Sequence, residues 1–108
     1  MPFDPKLDEA VFDIVSTLPA TRKKMFGGTC YLFKGHMMCG VYRECLILRL
    51  GEGTAAKALA RAGVRPFDVT GRPMTGWVMV DGDAAGGERL EGWLMAAKAF
   101  VETLPPKT

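Results

Sequence analysis

The sequence predicts an α+β fold: a two-layer sandwich with one antiparallel sheet and helices on one face, in the order α-β-β-β-α-β-β-α. Three observations carry this. Apolar residues recur at helical spacing near both ends of the chain. Between them lie runs of strand-forming residues separated by tight turns, the signature of sequential antiparallel hairpins. A short alanine-rich stretch interrupts those runs and splits them three to two, and one sheet covered by helices is the packing that buries such a set. With 108 residues, residues 1–108 are expected to form one domain, large enough to fold around a core without disulfide staples.

The first helix opens at Asp4-Pro5, an N-cap followed by a proline at a position where its missing N–H costs nothing. Asp8 and Glu9 suit the positive end of the helix dipole. Leu7, Ala10, Val11, Ile14 and Leu18 form one apolar stripe, with Phe12 and Val15 widening it, and Pro19 ends the helix. Residues 29–33 read as a strand, Lys34-Gly35 as a two-residue turn, and residues 36–42 as the returning strand. Arg43-Glu44 is the next turn, and residues 45–50 form the third strand, with Leu46, Leu48 and Leu50 on one face. Thr54 is expected to cap a short helix that includes Leu59, and Gly63 suits its end. Residues 66–69 read as an edge strand because Pro66 has no donor for a central ladder. A turn at residues 71–76 leads into a fifth strand at 77–80, and residues 81–87 read as a loop. The last helix is expected at about 88–104, with Leu90, Trp93, Leu94, Ala97 and Val101 on one face and Pro105-Pro106 beyond it.

Charge is distributed unevenly. Residues 21–74 hold ten cations and three anions, a net +7, while the flanks hold four cations and nine anions, a net −5. Either the basic middle meets an anionic partner, or the acidic terminal helices fold across it and neutralise it. There is no basic start followed by an apolar run, as a secretory signal would need. No apolar stretch reaches the roughly 18 residues that would span a bilayer. A cytoplasmic protein without membrane contact is expected.

The residues that could carry chemistry are few. Cys30, Cys39 and Cys45 have no metal-ligand spacing. A two-residue turn at Lys34-Gly35 would place Cys30 opposite Cys39, which in a reducing compartment predicts two buried thiols rather than a disulfide. His36 is the one histidine, beside a turn and without an orienting carboxylate in the pattern, so no general base is assigned. Gly27-Gly28 lacks the Lys-Ser/Thr of a phosphate-cradling loop. No cofactor, metal or catalytic residue is predicted. The candidate contacts for an anion or partner are Arg22, Lys23, Lys24, Arg49 and Arg72. Arg72 suits either a ligand carboxylate or phosphate, or an internal pair with Asp68 or Asp81. Met25, Phe26, Gly27 and Gly28 read as the joint between the first helix and the sheet. Gly71, Pro73 and Met74 read as a structural turn.

These residues resemble a known family. Arg22-Lys23-Lys24-Met25-Phe26-Gly27-Gly28, then Leu46-Ile47-Leu48-Arg49, Pro66-Phe67, Gly71-Arg72-Pro73-Met74 and Trp93, resemble the N-terminal domain of the TfoX/Sxy proteins from about Asp8 to Leu104. The resemblance implies the same two-layer α+β arrangement. It also implies a link to the regulation of natural competence, in a form expected to lack the helical C-terminal domain of full-length members. It carries no enzymatic activity. The functional expectation is a stand-alone, non-enzymatic regulatory or protein-interaction module, acting on a protein partner or as a homodimer. The alternative is a nucleic-acid-binding regulator that uses the basic surface.

Overall fold

The structure is a computed structural model that describes residues 5–18, 20–25, 28–42, 44–67, 75–85 and 89–104. The elements are α1 (Pro5–Val15), β1 (Ala20–Met25), β2 (Gly28–Phe33), β3 (His36–Tyr42), β4 (Cys45–Arg49), α2 (Glu52–Ala58), β5 (Val64–Pro66), β6 (Trp77–Asp81), α3 (Gly82–Ala85) and α4 (Arg89–Val101). The six strands form one antiparallel sheet in the order β1-β2-β3-β4-β6-β5. This is the predicted α+β class, with one more strand and one more short helix than expected.

The added strand is β1. Its sequence, Ala-Thr-Arg-Lys-Lys-Met, has no apolar alternation and so carries no strand signal of its own. Its conformation is set by pairing with β2 from Ala20↔Phe33 to Met25↔Gly28. The Met25–Gly28 joint therefore closes a β1–β2 hairpin, rather than linking the first helix to the sheet. Phe26 and Gly27 lie outside the described residues. Gly28 is needed for packing: a Cβ there would lie 2.1 Å from the Val41 carbonyl oxygen on β3. No side chain fits such an approach.

The β2–β3 turn is of the mirror-image type that matches strand twist, with Lys34 at φ 54° and Gly35 at φ 84°. The register that this turn predicts holds for Phe33↔His36 and Leu32↔Met37 and is lost beyond them. A bulge between Tyr31 and Leu32 inserts Met38, so Cys39 faces Tyr31 and Cys30 faces Gly40. The expected Cys30–Cys39 pairing is thus incorrect, and all three cysteines are free and buried.

The main core lies between the helices and one face of the sheet. It joins Leu7, Val11 and Val15 of α1 to Leu90, Trp93, Leu94, Ala97 and Val101 of α4, over strand residues such as Leu46, Leu48, Val78 and Val80. Phe12 does not widen this stripe. It is 40% exposed, with the Arg22 guanidinium 4.9 Å from its ring centre. On the other face Cys45, Ile47, Phe67 and Met79 form a smaller apolar cluster, flanked by Met37, Tyr42 and Trp77. Phe67 closes it against Trp77, with ring centres 5.7 Å apart.

Three boundaries also differ from expectation. The second helix begins at Glu52 behind Gly51, whose φ of 85° ends the preceding strand, so Thr54 lies inside the helix and does not cap it. The fifth strand in chain order is Val64–Pro66 rather than 66–69, because Val64 packs in the core and Phe67 leaves for the other face; Asp68 and Val69 lie outside the described residues. The predicted loop after the last strand contains α3, whose Ala85 is fully buried.

Candidate functional site

The candidate cations begin on β1, at the edge of the sheet. Strand alternation sends Arg22 and Lys24 toward the helix-covered face and Lys23 toward the opposite one. Lys23 and Lys24 are exposed. Arg22 is engaged inside the protein. Its Nη2 pairs with Oδ2 of Asp8 on α1. The same carboxylate accepts hydrogen bonds at Oδ1 from the Thr29 and Tyr31 hydroxyls, each at 2.6 Å.

Asp8 is 2% exposed, and a buried carboxylate is tolerated only when its oxygens are bonded and its charge is paired. The two β2 hydroxyls and the β1 guanidinium meet those needs together. This arrangement ties α1 to the first two strands. It also raises the Tyr31 pKa, first through burial and then through the hydrogen bond and charge of Asp8. With each of its oxygens already accepting, this carboxylate works as a tie.

Arg49, at the end of β4, lies three strands from Arg22, roughly 14 Å away at ordinary strand spacing. Its guanidinium lies 5.5 Å from the Trp77 ring centre and 5.7 Å from that of Phe100. Arg72, with Gly71, Pro73 and Met74, lies outside the described residues. Of the five candidate cations, then, Lys23 and Lys24 face solvent on the sheet edge, Arg22 is tied to Asp8, and Arg49 is stacked on aromatic rings.

A second polar group lies where strand order brings β4, β6 and β5 side by side. Arg65 Nη2 donates to Asp81 Oδ1 at 2.9 Å and to Cys45 Sγ at 3.1 Å, and the Cys45 thiol lies 3.7 Å from the same carboxylate oxygen. Burial raises the Cys45 pKa, and the Arg65 charge opposes that rise. Cys39 is held further up, by burial first and then by Cys30 and Asp8. Both thiols are therefore kept protonated and unreactive near neutral pH. Among the described residues no group of three His, Cys, Asp or Glu is arranged to hold a metal. No described helix is long and apolar enough to cross a membrane.

Sequence reasoning missed Asp8, although a signal was present. Asp8 stands three residues before Val11 and seven before Val15, on the face that those valines bury. A carboxylate at that spacing needs partners. It also missed Cys45–Arg65–Asp81, because that group depends on β6 lying between β4 and β5.

The TfoX N-terminal domain family model matches residues 14–100 of the chain. The chain belongs to this family. No curated protein and no solved structure matches it. In this TfoX N-terminal domain the matched span runs from the end of α1 to the end of α4, so it includes the whole sheet. Asp8 lies before the matched residues, whereas its partners Arg22, Thr29 and Tyr31 lie within them.

Proposed function

We propose that the domain is a non-enzymatic protein-interaction module that receives an extended, acidic segment of a partner along the free edge of β1. The observation that carries this is the edge itself. β1 is six residues long, pairs with β2 alone among the described strands, and exposes Thr21, Arg22, Lys23 and Lys24. Unpaired backbone groups on such an edge accept an added strand. Its cations discourage indiscriminate pairing and favour carboxylates opposite them. They also argue against a homodimer through this edge, since two antiparallel copies would bring like charges together. The three free, buried cysteines suit a reducing compartment such as the cytoplasm. A regulatory role, in competence or elsewhere, would be exercised through the bound partner.

The test is fluorescence anisotropy with acidic, neutral and basic versions of one strand-forming peptide. The acidic version is expected to bind tightest, and a Lys23→Glu/Lys24→Glu double variant to weaken it several-fold without changing the melting temperature. Equal binding of all three peptides would sink the proposal, and a concentration-dependent dimer as the tightest complex would replace it with self-association. The second reading, a nucleic-acid-binding regulator, is favoured by the exposure of Lys23 and Lys24. Two phosphate contacts give a weak salt dependence, about 0.9 in log–log slope for each. Oligonucleotides that bind more tightly than the acidic peptide would establish it.

A further inference from the structure

A cleft of about 420 Å³ separates α2 from α4. Its two walls share one spacing: Thr54, Lys57, Ala58 and Arg61 on one side, Arg89, Gly92, Trp93 and Ala96 on the other. Each set follows i, i+3, i+4, i+7, the spacing of one helix face, with Arg61 lying just past the end of α2. The floor is apolar, with Leu50, Ala58 and Trp93 buried. The rim is cationic: Lys57, Arg61 and Arg89 are exposed, and no described carboxylate lies within ion-pair distance of any of them. Arg61 is held in place by Trp93, its guanidinium 4.4 Å from the ring centre.

Gly92 gives an independent indication. Glycine inside a helix costs about 1 kcal/mol relative to alanine, so a packing reason for it is expected. None is present, because a Cβ at Gly92 would have nothing within 4 Å. The space above it belongs to the cleft. Three cations on the rim, an apolar floor and a missing side chain in the wall describe a receptor for a small anion with an apolar body. The volume is within the range of small-molecule sites.

We propose that the α2–α4 cleft binds a small phosphomonoester, its phosphate between Lys57, Arg61 and Arg89 and its apolar body on Leu50, Ala58 and Ala96. A phosphomonoester carries nearly two negative charges at neutral pH, and arginine and lysine both serve as phosphate donors. The site is separate from the β1 edge and does not depend on the peptide proposal.

The experiment is a two-dimensional amide NMR titration of the full chain with phenyl phosphate, inorganic phosphate and phenol. Phenyl phosphate is expected to give saturable shifts at Thr54, Lys57, Arg89, Gly92 and the Trp93 indole, and to bind about tenfold more tightly than either half alone. Lys57→Gln and Arg89→Gln should each weaken it about tenfold. Gly92→Leu should fill the cleft and abolish the shifts while the melting temperature stays level or rises, since a Cβ at this position meets nothing within 4 Å and leucine is the better helix former. Absence of saturable shifts at these residues, shifts that survive Gly92→Leu, or inorganic phosphate binding as tightly as phenyl phosphate would each overturn the assignment.

Discussion

Asp8 is a helix-start acid by position and a buried anchor by environment. Replacing it with alanine would leave the Thr29 and Tyr31 hydroxyls without their carboxylate acceptor and Arg22 without its counter-charge. Removing one partner from such a group costs about 3 kcal/mol. Urea denaturation of Asp8→Ala should find a loss of that size; a loss below about 1 kcal/mol would contradict the role assigned to the carboxylate. Arg22 is 43% exposed on its side of the pair, so solvent screening lowers its share. Arg22→Met is expected to cost about 1 kcal/mol or less. At this scale the sequence pointed to the basic residues but not to their partners within the fold. The pairing of Asp8 with residues 14 to 23 positions away is a product of the fold, and no local spacing encodes it.

Elements with their own periodicity were legible: α1, α4 and the β2–β3–β4 meander each follow from spacing and turn residues. β1 was not, because a strand of cations is specified by its neighbour and by the face it offers to α1. The bulge at Met38 was also hidden, since one extra residue in a run of apolar residues leaves the pattern of hydrophobicity almost unchanged. Gly28 and Lys34 give the element-scale predictions. Gly28→Ala must separate β2 from the Val41 carbonyl and is expected to destabilise by about 1–3 kcal/mol. Lys34, a non-glycine residue at φ 54°, carries a strain that asparagine tolerates better. Lys34→Asn should therefore raise stability by a few tenths to about 1 kcal/mol. Thermal or urea melts of both variants check the two signs, and a neutral Gly28→Ala would remove the argument from close approach.

For the whole molecule, the α+β class and the helix-covered sheet could be read from the sequence, whereas the assignment of surfaces could not. Among the described residues the basic middle does not become one basic face. It divides into a sheet edge, an internal tie, an aromatic stack and one wall of the α2–α4 cleft, since strand alternation and sheet order scatter residues that are neighbours in sequence. Burial of titratable groups sets the pH response. Cys39 and Tyr31 are raised above ordinary values near 9.0 and 10.0, so the folded state holds their protons more tightly than the unfolded state. Their contribution to stability should be level below about pH 8.5, then fall as pH rises through the unfolded values, by at most about 1.4 kcal/mol per pH unit for each group. Cys30 and Cys45 are raised as well and add to that slope. Cys39→Ala should reduce the loss that begins near pH 9 and leave the part that begins near pH 10. An unchanged alkaline profile would contradict the burial assigned to that thiol.

The central functional claim is that β1 is an open edge that accepts an acidic strand. Amide hydrogen exchange of the free and peptide-bound domain tests this most directly. In the free domain, those β1 amides that β2 does not engage should exchange rapidly. With the acidic peptide bound they should become protected, while the β5 edge and the α2–α4 cleft remain unchanged. Protection that appears at β5 or over the helices, with β1 still exchanging freely, would contradict the account.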